Sequence, residues 1–147
     1  MNERSFIRQV ADRLRADEAR AEAVTFAVFQ ELRDRLPPKE AADVAAQLPT
    51  GLKRLWQEYE RPGRGVAKIH EPEFLGRIRR RAILPDDAEA ERGVRAVFAT
   101  LQALLGSPTG KEGEAWDVFS VLPKDLKMLW LAARGQGARP GAALSSK

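Results

Sequence analysis

The sequence predicts an all-α protein made of two tandem four-helix repeats packed into one helical bundle-like body. Three observations predict it. Apolar residues recur at helical spacing throughout, and no segment alternates with period two. The stretch Leu48-Pro49-Thr50-Gly51-Leu52-Lys53-Arg54-Leu55-Trp56 returns as Leu122-Pro123-Lys124-Asp125-Leu126-Lys127-Met128-Leu129-Trp130, sharing Leu, Pro, Leu, Lys, Leu and Trp in register. Upstream landmarks keep the same order: Phe6 and Val10 answer to Phe74 and Ile78, and Ala27-Val28-Phe29 with Leu32 and Leu36 answers to Ala96-Val97-Phe98 with Leu101 and Leu105.

The first repeat, residues 1–60, opens with a helix whose stripe is Phe6, Ile7, Val10 and Leu14. Ala21, Val24, Val28, Leu32 and Leu36 mark a second, with Asp17-Glu18 at its start, where the helix dipole favours negative charge. Pro37-Pro38 stops it, because proline lacks the amide and clashes with the preceding turn. A third helix is expected from about Lys39 to Gln47. Pro49 then opens a fourth carrying Leu52, Leu55, Trp56 and Tyr59 on one face.

Residues 61–72, with Arg61-Pro62-Gly63-Arg64-Gly65, read as a basic linker. The second repeat, residues 73–134, follows the same plan with Phe74, Leu75, Ile78 and Ala82; Val94, Val97, Phe98, Leu101 and Leu105; Ala115, Val118, Phe119 and Leu122; and Leu126, Leu129 and Trp130. Its extra residues fall at Gly106-Ser107-Pro108-Thr109-Gly110, a turn-forming cluster expected to be a loop. Residues 135–147 read as a disordered tail.

The 147 residues suffice for one fused body and fall short of two ordinary independent domains. Without cysteine the chain has no disulfide, thiolate metal site or cysteine nucleophile, which fits a cytoplasmic protein. The opening MNERSFIRQV is too charged for a secretory leader, and charges interrupt every apolar run before it reaches the length of a membrane span.

No arrangement of residues points to catalysis, a metal or a cofactor, so the expectation is a non-enzymatic protein. His70 stands beside Glu71 in the linker with no second histidine to assist it. Asp17, Glu18 and Glu22, like Asp86, Asp87, Glu89 and Glu91, fall where they stabilise helix starts. No phosphate loop is present, and the few serines lack an evident base. Trp56 and Trp130, with Tyr59, lie at helical spacing among leucines and read as core.

Charge is the remaining signal. Between residues 61 and 81 seven cations face only Glu71 and Glu73. Arg61, Arg64, Lys68, Arg77, Arg80 and Arg81 are the candidate anion- or partner-binding residues, with Arg77, Arg80 and Arg81 expected on a helix face away from Phe74 and Ile78. The partner expected for an interaction module of this kind is a protein or an anionic polymer. The alternative is sequence-independent nucleic-acid binding, since no reading head is recognisable.

Phe6-Ile7-Arg8-Gln9-Val10, Ala27-Val28 with Leu32 and Arg35-Leu36, Glu40-Ala41, Asp43, and Ala46-Gln47-Leu48-Pro49 with Leu52 resemble the bacterial domain of unknown function 2267 family. The resemblance extends over most of residues 4 to 133, and in the second repeat Val121 replaces Gln47. It implies two tandem helical copies in a bacterial cytoplasmic protein, and it brings no activity, cofactor or catalytic residue.

Overall fold

Helix starts are set by side chains that accept the first free amides. In the computed structural model, which describes residues 1–106 and 113–134, Asn2 and Ser5 close a reciprocal capping box on α1 (Glu3–Leu14). Asp17 accepts from the Arg20 amide to start α2 (Glu18–Arg35). Prolines lead into α3 (Pro38–Gln47) and α4 (Thr50–Gln57). After an irregular stretch come α5 (Glu71–Ala82), α6 (Asp87–Leu105) capped by Asp86, α7 (Glu114–Val121) and α8 (Lys124–Arg134). Among the described residues the β contact is one isolated bridge, Gly106 to Gly113. The fold is all-α. The expected loop at 107–110 and the expected tail at 135–147 lie outside the described residues.

Two long helices organise the body. α2 packs against α1, α4, α5 and α6, while α6 packs against α1, α5, α7 and α8. They cross where Gly93 meets Val24: a Cβ on Gly93 would stand 2.8 Å from Val24 Cγ1, so glycine is what permits this close approach. A single core runs through both halves of the chain, with Phe6, Phe29 and Trp56 at one end and Phe98 and Trp130 at the other. Edge-to-face stacking links the first group, at 5.7 Å for Phe6–Phe29 and 5.4 Å for Phe29–Trp56. Phe98 and Trp130 meet at 4.8 Å.

Because α2 is surrounded, it buries far more than the stripe its leucines and valines mark. Thr25, Gln30, Glu31, Arg33 and Arg35 are all buried with it. One sequence expectation needs correction. α4 ends at Gln57, so Tyr59 leaves the helical face, adopts φ 64° and is 70% exposed, resting on Phe26 at 6.5 Å instead of entering the core.

Candidate interaction surface

The basic segment is largely folded back onto the protein. The end of α2 presents carbonyls that lack intrahelical partners, and a guanidinium is well suited to fill them. Arg64 does so, donating to the carbonyls of Arg33 at 2.9 Å and Leu36 at 3.0 Å. Its Nε also meets Glu60 at 2.6 Å, and its side chain is only 3% exposed. Ala67 binds the same helix end, through its amide to Asp34 O and its carbonyl from Arg35 Nε. Residues 61–67 therefore form a strap across α2.

Arg61 is exposed beside Asp34 at 3.5 Å. Arg77 pairs with Glu73 one turn earlier on α5 at 3.1 Å. Arg81 does not share a free outward face with Arg77 and Arg80: its Nε reaches Glu31 on α2 at 2.6 Å. The reason is Glu31 itself, a buried carboxylate close to α5 that needs a second cation. Lys68 and Arg80 are exposed, and neither makes an ion pair among the described residues. Thus two of the six candidate residues carry uncommitted charge. His70 is also exposed, with Nδ1 3.4 Å from Asp125.

Sequence periodicity gave no sign of two buried ionic clusters on α2. In one, Glu31 joins Arg35 at 3.1 Å and Arg81. Burial lowers the Arg35 pKa, Glu31 acts to raise it, and the Arg35 guanidinium lies 5.8 Å from the Phe74 ring centre. In the other, Arg33 binds Asp34 and donates to the carbonyls of Trp56 and Glu58, tying the end of α4 to α2. These groups hold the fold together and present little charge to a partner.

A different surface is formed by α7 and α8. Trp116 stacks against Phe119 at 5.4 Å, and Lys127 Nζ lies 5.3 Å from the Phe119 ring centre. Lys124, Lys127, Met128 and Leu131 follow at the i, i+3, i+4 and i+7 positions of α8, which is one helical face. Trp116, Met128 and Leu131 are 37%, 61% and 41% exposed. By the register of the repeated Leu-Pro motif, the first half carries Ala42, Arg54 and Gln57 at those places. The second half thus has an aromatic and aliphatic strip where the first is small or polar.

On the opposite side of α7, Glu114 meets Glu40 and Asp43 of α3, with one oxygen of each carboxylate within 4.8 Å of the others. This is the grouping among the described residues that offers three oxygen ligands; acidic groups also gather in this way without an ion. Burial, then Glu40, Asp117 and Asp43, push the Glu114 carboxyl up to about 8. With its folded value raised, Glu114 stabilises the fold fully below about pH 4.5, and that contribution is lost as pH climbs through about 8. Thermal melts of Glu114→Gln and of the unaltered chain should diverge with rising pH, the variant being the more stable above pH 8. Parallel profiles would exclude the raised Glu114 value.

A family model described as an uncharacterized conserved protein, DUF2267, matches residues 3–129. The chain belongs to the DUF2267 family. Comparison with curated proteins finds no match. The DUF2267 match runs from α1 into α8, taking in Trp116, Lys127 and Met128 and ending before Trp130 and Leu131. No described helix of this DUF2267 chain is long and apolar enough to cross a membrane. Of its surface features, the α7–α8 strip had one sequence signal: Trp116, Met128 and Leu131 replace Ala42, Arg54 and Gln57 in the motif register. Only the packing shows that these positions face outward.

Proposed function

We propose that this DUF2267 protein is a non-enzymatic helical interaction module of the bacterial cytoplasm, docking a protein partner through its second half. The observation that carries the reading is the exposed Trp116, Met128 and Leu131 on α7 and α8, with the half-buried Phe119 between Trp116 and Lys127. Large apolar side chains left outside a well-filled core are the anchors that dominate protein interfaces. Lys68 and Arg80 add charge at a distance, in the basic part of the chain. Sequence-independent nucleic-acid binding has weaker support, because Arg64, Arg77 and Arg81 are engaged with carboxylates.

The reading includes a tandem duplication with an internal two-fold relation. Its support is a set of matched contacts. Phe29–Trp56 is matched by Phe98–Trp130, and Arg33 to Trp56 O by Gln102 to Trp130 O. Arg81 to Glu31, from α5 to α2, is matched by Arg13 to Thr100, from α1 to α6. Val24 and Gly93, and likewise Glu40 and Glu114, correspond in register and meet each other across the crossing. On such a scaffold the second unit is free to diverge at its surface while the first maintains the packing.

The test compares two variants by affinity capture from a cell extract at low and high salt. Trp116→Ser with Leu131→Ser should weaken capture of a protein partner about 30-fold or more, the effect of losing a hot spot of about 2 kcal/mol. Arg77→Ala with Arg80→Ala and Arg81→Ala should leave capture nearly intact at high salt. Retention of nucleic acid that disappears with the arginine variant would establish the alternative.

A further inference from the structure

Part of the surface charge is answered locally. Arg8, Arg61, Arg77, Arg79, Arg81, Arg92 and Arg95 each lie within ion-pair distance of a carboxylate. The two lysines of the α7–α8 strip, Lys124 and Lys127, like the exposed Lys39, Lys68 and Arg80, make no ion pair among the described residues, but these two stand beside apolar side chains. Lys127 rests on the Phe119 ring. The acids nearest in sequence are turned to other tasks. Asp125 accepts the Glu71 amide at 2.6 Å and lies beside His70, while Glu114 and Asp117 act on the α3 side of α7. The strip is thus an apolar seam between two helices, accompanied by two unanswered cations.

We infer that the α7–α8 strip receives an acidic amphipathic helix of a partner protein, whose apolar residues meet Trp116, Phe119, Met128 and Leu131 and whose carboxylates meet Lys124 and Lys127. This inference rests on the docking reading above and names its partner. A helix laid along such a seam presents anchors at i, i+3 or i+4 and i+7, and acids on its flank supply the complementary charge. Charge argues against two other occupants. Residues 135–147 carry Arg139 and Lys147 and no acid, so they would meet the lysines with like charge. A second copy placed symmetrically on the strip would bring lysines toward lysines. An anionic bilayer is disfavoured because two lysines fall short of the roughly four to eight clustered cations that recruit proteins to such surfaces.

The experiment uses the full chain and two synthetic helical peptides with identical apolar anchors, one flanked by glutamates and one by lysines. Fluorescence anisotropy should show the acidic peptide binding about tenfold tighter at low salt. The ratio should shrink toward one at about 1 M salt, where the screening length is roughly 3 Å. Lys124→Glu with Lys127→Glu should reverse the preference, and Trp116→Ser with Leu131→Ser should abolish binding of both; unchanged helical circular dichroism confirms that these surface variants fold. Equal affinity for the two peptides overturns the acidic-helix inference and leaves the docking reading standing. Binding of neither peptide overturns both. Sedimentation with phosphatidylglycerol vesicles, or self-association abolished by the Trp116 and Leu131 changes, would assign the strip to lipid or to a second copy and overturn the inference.

Discussion

Trp56→Ala is expected to destabilise the protein by about 3–5 kcal/mol, the range for truncating a buried large aromatic. Trp56, on α4, is buried against Phe29 of α2 and against α3, and its removal opens a cavity there. It also breaks a hydrogen bond, since the ring Nε1 donates to Ala41 O at 2.9 Å. Trp130 is buried against Phe98, but among the described residues its ring N–H has no partner. Trp130→Ala should therefore cost less, by roughly the 1 kcal/mol of a net hydrogen bond. Denaturant unfolding with an unchanged slope measures both. Equal costs would remove the Ala41 bond from the explanation, and a cost for Trp56 below about 1 kcal/mol would contradict its place in the core.

A second large loss, again about 3–5 kcal/mol, is expected for Glu31→Ala. The substitution leaves the Arg35 guanidinium buried without its carboxylate, although Arg35 Nη2 already lacks a hydrogen-bond partner. Burial depresses the Arg35 pKa and Glu31 opposes that depression, so deleting Glu31 exposes the full desolvation cost. Replacing both residues together, as Glu31→Leu with Arg35→Leu, should recover much of the loss because no unpaired charge remains. The double-mutant cycle decides the matter: simple additivity of the two single losses would show that Glu31 and Arg35 are not energetically coupled. Arg81→Ala should cost much less, since that side chain is partly solvated and its attraction is screened.

The contrast between these two cases explains how far the chain could be read in advance. Trp56 and Trp130 announce themselves by sitting at helical spacing among leucines, and both are in the core. Glu31, Arg33 and Arg35 give no such signal. A charged residue on a helix is ordinarily solvated, and these become buried only because α2 is covered from several sides by α1, α4, α5 and α6. The same covering of α2 acts on the basic segment. Arg64 looks like linker charge, yet the carbonyls of Arg33 and Leu36 at the end of α2 accept from its guanidinium. The α7–α8 strip had the converse problem: its apolar residues would fit a core pattern, and neighbouring helices determine that they remain outside.

By itself, the sequence determined the all-α class, the eight helices of the described residues, their capping and stop signals, and most of the apolar core. These follow from local chemistry: the 3.6-residue period, the missing amide of proline, and the acceptor oxygens of Asn2, Asp17 and Asp86 act within a few residues of one another. Tertiary structure alone decided which charges are buried, which arginines are already partnered, and which apolar residues face solvent. Tyr59 faces outward because α4 ends two residues earlier, and Arg81 turns inward because Glu31 lies across from it on another helix. Such outcomes depend on pairs separated by tens of residues, as Arg81 and Glu31 are, and periodicity along one helix carries no information about them.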